Sequence, residues 1–351
     1  MTTDPVSAKP LQSPAPLSRK LSIAPMMDWT DRHCRYFLRQ ITHHTLLYTE
    51  MVTTGALIHG DRERFLRYHD IEHPIALQLG GSDTGDLAQS CKYAEQWGYD
   101  EVNLNVGCPS DRVQNGMIGA CLMKEPKLVA DCIKSMQDAV SIPVTIKHRI
   151  GVNGRESWEE LVDFVGQVAD TGCKTFIVHA RIAILEGLSP KENRDIPPLK
   201  YDWAWRLKQV FPDLEIIVNG GITTLDETEE HLQHLDGVMI GREAYHNPWI
   251  LAEADPRIFG AQKNSFSRND IIEKMIPYAK NHIENGKHPL NHISRHMLGL
   301  FNGLPGARRF RRHLSEHAHK AGSCAELLRE AASFCLSEDI SFETRESGQQ
   351  V

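Results

Sequence analysis

Cys108 stands between Gly107 and Pro109, where an apolar run gives way to a loop. A free thiol has a pKa of about 8.5, so near neutrality it is mostly protonated and can donate. That suits a reaction in which hydride adds to one carbon of an activated double bond and a proton must reach its neighbour. The rival is a nucleophilic thiol, for which no adjacent His or Asn dyad speaks. Further along stand Asn219-Gly220-Gly221 and Gly241-Arg242. Glycines let backbone N–H groups approach an anion and Arg242 adds charge, which together point to a phosphate. The bland alternative for Gly220-Gly221 is a tight turn. Lys147 would stabilise the negative charge that reduction places on a flavin ring, or it is a buried salt-bridge lysine. Gln78 would bond a ring carbonyl or nitrogen, or it is a satisfied core amide. His179 would bond the phosphate or the ring edge, or it is structural.

One architecture gathers these residues. Short β-branched apolar runs recur at 21–25, 45–52, 74–80, 101–107, 143–149, 175–180, 215–221 and 237–241. Helical patterns lie between most of them, at 84–97, 124–139, 157–170 and 202–211. Strands that alternate with helices argue for a parallel sheet. Eight such units in roughly 230 residues argue for a closed (β/α)₈ barrel. Its active site lies at the C-terminal ends of the strands. Strand one ends in Pro25-Met26-Met27, and strand three carries Gln78 near its end. Strand four ends in Asn105-Val106-Gly107-Cys108 and strand five in Lys147-His148-Arg149. Strands six, seven and eight end in His179, in Asn219-Gly220-Gly221 and in Gly241-Arg242.

After residue 251 only helical patterns follow, at 270–284, 292–301, 308–321 and 324–336. The reading is therefore a disordered tail over 1–20, a catalytic barrel over 21–260, a helical domain over 265–338 and a frayed tail over 339–351. The 351 residues are 41% hydrophobic and 24% charged, as expected of a soluble globular protein. No apolar run approaches the ~20 residues that cross a bilayer. The first residues lack the apolar stretch of a signal peptide, so a cytoplasmic location and no membrane partner are expected. None of the eight cysteines forms a C-x-x-C pair, which argues against a metal site. A monomer is expected.

Net charge is −7, yet residues 266–322 carry +6, leaving −13 elsewhere. The run Arg308-Arg309-Phe310-Arg311-Arg312 is its densest part. Such asymmetry is the footprint of a phosphate-binding lobe on an acidic body. The alternative is a solvated helical face.

Several segments together resemble the bacterial tRNA-dihydrouridine synthases, and within them the A-type subfamily that acts at positions 20 and 20a. They are Ala24-Pro25-Met26-Met27-Asp28-Trp29-Thr30-Asp31, Tyr48-Thr49-Glu50-Met51-Val52 and Asn105-Val106-Gly107-Cys108-Pro109-Ser110. Gly119-Ala120-Cys121-Leu122-Met123, Asn219-Gly220-Gly221-Ile222 and Arg295-His296-Met297-Leu298-Gly299-Leu300 follow the same pattern. The most subfamily-specific is Ser189-Pro190-Lys191-Glu192-Asn193-Arg194. The resemblance implies FMN at the barrel mouth, touching Pro25, Met26, Met27, Gln78, Lys147, His179, Asn219, Gly220, Gly221, Gly241 and Arg242. It implies Cys108 as proton donor, with Asn105, Lys191, Arg308 and Arg311 on the tRNA. The implied reaction is reduction of the uridine C5=C6 bond, with hydride from FMN that NADPH (or NADH) has reduced. Two rivals are a flavin barrel acting on a small molecule, of the dihydroorotate or ene type, and a non-catalytic RNA-binding barrel.

Overall fold

A computed structural model describes residues 17–110, 117–263, 265–284 and 288–335. Its strands are β1 (Leu21–Ile23), β2 (Leu46–Thr53), β3 (Ile75–Gly80), β4 (Glu101–Val106), β5 (Val144–Arg149), β6 (Thr175–His179), β7 (Glu215–Asn219) and β8 (Gly237–Ile240). They close in sequence order into one parallel barrel. Each lies within two residues of the run that the sequence marks out. Helix Arg32–Arg39 follows β1, the short helices Thr54–His59 and Arg62–Leu66 follow β2, and Thr84–Trp97, Pro126–Ala139, Trp158–Ala169, Tyr201–Val210 and Leu225–Leu232 follow β3 to β7 in turn. Local chemistry starts several of them. Asp31 and Asp83 cap their helices, and Ser157 with Glu160 and Thr224 with Glu227 form capping boxes.

Alternation along the strands divides the two faces. On β4, Val102, Leu104 and Val106 join the large core beneath the helices. Glu101, Asn103 and Asn105 alternate with them and face the barrel axis. On β5 the inward set is Thr145, Lys147 and Arg149. His148 points the other way, packed against Phe164 and Phe176 with ring centroids at 5.2 and 5.9 Å. It therefore does not share the mouth with the strand-end residues beside it.

The barrel interior is lined on one side by Ala24, Leu46, Ala76, Ile177, Ile217 and Met239. Its other side is polar. Glu101 is fully buried at the lower end, and Arg19 Nε donates to it at 2.6 Å while Arg19 Nη1 reaches Glu215 at 3.0 Å. Tyr48 and Thr145 hydroxyls donate to the other oxygen of Glu101, at 2.5 and 2.7 Å. Burial opposes the Arg19 charge, but the two carboxylates outweigh it and hold the guanidinium protonated. The tail expected over 1–20 is corrected here. Arg19 belongs to the fold because a buried carboxylate needs a cation. Residues 1–16 and 339–351, read as tails, lie outside the described residues.

Beyond β8, helices Arg268–Glu284, Asn291–Met297, Ala307–His317 and Leu327–Ala332 pack around buried Ile271, Met275, Ile293, Met297, Phe310 and Leu328. They dock on the barrel beside the first helix. Tyr278 stacks on Tyr36 at 3.7 Å, and Asp31 pairs with Arg295 and His296. Among the described residues no helix is long and apolar enough to cross a membrane.

Removing one partner of a buried ion pair leaves an uncompensated charge. Arg19→Met is expected to lower unfolding free energy by about 3–5 kcal/mol in urea titrations. A change below ~1 kcal/mol would contradict the role assigned to Arg19.

Candidate active site

The interior polar residues continue upward as a ladder. Asn103 Nδ2 donates to Thr145 Oγ1 at 2.9 Å, and Gln78 Nε2 donates to Asn103 Oδ1 at 2.8 Å. Asn105 Nδ2 donates to Gln78 Oε1 at 2.8 Å. Asn105 Oδ1 then accepts the N–H groups of Gly107 and Cys108, both at 3.0 Å. The carbonyl of Cys108 accepts from Ala120 N–H at 2.8 Å. Gly119, at φ +81°, packs so closely that a Cβ there would sit 2.4 Å from that carbonyl oxygen. The thiol-bearing residue is thus fixed from both sides at the strand end, and its side chain is half-buried.

Cations surround it. Arg149 is buried, and its guanidinium donates to the carbonyls of Gly107 (3.0 Å), Ile182 (3.2 Å) and Asn193 (2.9 Å). Among the described residues no carboxylate pairs with it. Burial draws its pKa down to about 10. Lys147 is half-buried, and among the described residues it too lacks an acidic partner. Burial first, and then the charge of Arg149, pull it from 10.5 to about 7, partly offset by Cys108. His179 is buried, and its Nδ1 has no hydrogen-bond partner among the described residues. Burial, followed by Arg149, Lys147 and Arg181, holds it well below the usual histidine range, so the ring is neutral.

The loops after β7 and β8 complete the mouth. Gly220 and Gly221 have φ of +115° and +74°, and a Cβ would strike His179 at one and Leu199 at the other. The Tyr201 hydroxyl donates to Gly220 O at 2.6 Å. These glycines are required by conformation and by space. Gly241 is less constrained, its nearest Cβ neighbour being Ala24 at 3.8 Å. Asn219 Nδ2 donates to Met239 O at 2.7 Å. Arg242 pairs with Asp195 at 2.6 Å rather than standing free. Met27, beyond Pro25 and Met26, is 57% exposed, an unusual state for a large apolar side chain beside a core.

Asn105 donates to Gln78 and Gln78 donates to Asn103, so among the described residues each amide nitrogen keeps a second N–H. Lys191 is exposed on the loop beyond β6. That loop is organised by buried Asn193, whose side chain bonds Ile184, Leu188 and Ser189, while its own carbonyl is held by Arg149. Arg308 and Arg311 lie on helix Ala307–His317, where Arg311 donates to Asn302 Oδ1 at 2.8 Å. Arg308 lines a groove of about 810 Å³ with Arg309, Arg312 and Phe334. The sequence reading placed Arg149 at the end of strand five without a role, and it did not find the Glu101–Asn103 ladder. The one available signal for the ladder was polar residues at every second position of β4.

A family model for dihydrouridine synthases matches residues 22–335. The chain belongs to the dihydrouridine synthase family. Relatives in Pseudomonas aeruginosa (64% identical, 89% of this chain and 94% of theirs) and Vibrio vulnificus (59%, 90% and 96%) are named tRNA-dihydrouridine(20/20a) synthase. So is one in Escherichia coli K12 (58%, 93% and 94%). They place the chain in the A-type subfamily of these flavin-dependent oxidoreductases. A solved 2-naphthoyl-CoA reductase complex shares the fold at 9% identity, with a TM-score of 0.52 over 67% of this chain and 49% of that one. Membership in an enzyme family sets aside the non-catalytic barrel. The dihydrouridine synthase mouth fits a flavin on its own terms. An orphaned ring nitrogen, a lysine without a carboxylate and a glycine pair with no room for side chains are what a planar, phosphorylated, reducible group needs.

Lys147 yields a prediction about pH. Its folded pKa, about 7, lies below the unfolded value of 10.5, so burying the ammonium is fully costly below pH 7. That cost fades as pH rises toward 10.5. Lys147→Met is therefore expected to stabilise the flavin-free protein most at pH 6 and progressively less by pH 9, read by urea unfolding at each pH. A benefit that grows with pH would contradict the assignment.

Proposed function

We propose that this chain reduces the C5=C6 bond of uridine to 5,6-dihydrouridine at positions 20 and 20a of tRNA, with FMN as cofactor, NADPH (or NADH) as reductant and Cys108 as proton donor. The observation that carries this reading is the fixing of Cys108 through both its N–H and its carbonyl at the barrel mouth. FMN would be held by Pro25, Met26, Met27, Gln78, Lys147, His179, Asn219, Gly220, Gly221, Gly241 and Arg242. When bound there, the flavin would supply the hydride needed at C6 of the uracil ring. Cys108 then delivers its proton to C5, because a thiol in a fixed backbone setting meets the geometric demand of general acid catalysis. Lys147 offers positive charge where reduction leaves negative charge. Arg242 would exchange Asp195 for the phosphate.

A stacked base cannot reach a group inside a barrel mouth, so the target uridine must swing out. Loop bases are already partly unstacked, which lowers the cost. The second amide N–H of Asn105 and the exposed ammonium of Lys191 are available to RNA. Arg308 and Arg311 would meet the phosphates further away on the +6 segment. With tRNA as substrate, the reaction belongs to the cytoplasm.

Nucleoside mapping of tRNA from a strain lacking this gene tests the assignment. Dihydrouridine at positions 20 and 20a should disappear, return with the wild-type gene and stay absent with Cys108→Ala. The purified Cys108→Ala protein should keep flavin and tRNA while turnover falls about 10²–10⁴-fold. Unchanged dihydrouridine in the deletion strain refutes the substrate, and wild-type turnover in the variant removes the acid role.

A further inference from the structure

The turn leaving β1 adopts a conformation that it would not favour alone. Asp28 has φ +65°, in the left-handed region that non-glycine residues seldom occupy. Bonds within the turn hold its start. Trp29 and Thr30 N–H groups donate to Met26 O at 3.1 and 2.9 Å, and Thr30 Oγ1 accepts from Met26 N–H at 2.9 Å. Asp28 itself is held from outside. Its N–H donates to Glu50 Oε1 at 2.6 Å, and its carbonyl accepts from Arg295 Nη2 at 2.6 Å. Glu50 lies where the β2–β3 register shifts, the kind of irregularity that re-aims a side chain.

Arg295 comes from the other end of the chain, on helix Asn291–Met297. The same guanidinium nitrogen reaches Asp31 Oδ2 at 3.3 Å, and His296 Nε2 lies 3.1 Å from that oxygen. The other oxygen of Asp31 caps helix Arg32–Arg39 through the N–H groups of His33 and Cys34. Between the two aspartates, Trp29 stacks on Tyr245 at 4.5 Å and 15°. The helical segment therefore grips the barrel at the turn whose tip is exposed Met27. Backbone strain persists only where surroundings over-determine it, and one determinant here is not part of the barrel.

We propose that Arg295 is a positioning residue for the flavin site: it holds the Met26–Asp28 turn in its left-handed form, so flavin affinity depends on the helical segment. This rests on the reading that Pro25, Met26 and Met27 touch the flavin. The competing role for Arg295, as one more cation for RNA phosphates, acts on tRNA alone.

The test uses apo-protein titrated with FMN in the absence of RNA, followed by flavin fluorescence. Arg295→Met should weaken FMN affinity about tenfold, and Arg295→Lys, which keeps one donor, should fall between it and wild type. Asp28→Gly in the Arg295→Met background should recover part of the loss, since glycine adopts positive φ without strain. Circular dichroism and thermal melting confirm that each variant is folded. FMN affinity equal to wild type in Arg295→Met, with only tRNA binding weakened, overturns the proposal. Equal weakening with no recovery in the double variant overturns the strain argument and with it the proposal. Failure of the flavin-contact reading looks different. Met27→Ala would then leave FMN affinity unchanged while Arg295→Met lowers it.

Discussion

One side-chain carbonyl, Oδ1 of Asn105, accepts the N–H groups of Gly107 and Cys108 where β4 ends. Those N–H groups have no strand partner once the ladder stops, and half-buried donors left unmade are costly. Asn105 can serve them only if its own amide is oriented, which Gln78 does, and Gln78 is oriented in turn by Asn103 and Thr145. The chain ends on Glu101 and Arg19 at the opposite end of the barrel. Each side chain of this ladder is bonded to a neighbour within it, and in a low-dielectric interior such bonds hold the network rigid. The barrel thus transmits a fixed frame from its base to the thiol.

Charge is arranged in the opposite sense at the two ends. At the base, Glu101 and Glu215 enclose one arginine. At the mouth, Lys147 and Arg149 lie buried or half-buried with no carboxylate beside them among the described residues. Such uncompensated charge costs stability, and sites that bind anions are where it is tolerated. Arg149 also joins Gly107 to the loop that carries Lys191, which ties the proposed acid and a proposed RNA contact to one guanidinium.

Much of this was legible in the sequence, for physical reasons. The barrel was visible because eight short strand runs rich in apolar residues alternate with helical patterns. Cys108, Gly220 and Gly221 were visible because thiols and paired glycines are conspicuous at strand ends. Long-range pairings were not. The residue that fixes Arg19 lies 82 positions away, and the one that fixes Asp28 lies 267 away. Arg149 was placed at the end of strand five, but its role was hidden because its partners are carbonyls, which carry no sequence signal. Helices Thr54–His59 and Arg62–Leu66 are too short to show a periodicity. His148 was grouped with the mouth residues, and strand alternation turns it outward.

The claim that the interior ladder positions the thiol is tested most directly at Asn103, which is fully buried and bonds only its neighbours in the ladder. The measurement is the single-turnover rate at which tRNA reoxidises the reduced flavin in a folded Asn103→Ala protein. The account predicts a slowing of about 10–100-fold, with reduction of the flavin by NADPH unchanged. A wild-type rate of reoxidation would show that Cys108 is placed without the ladder and would contradict the account.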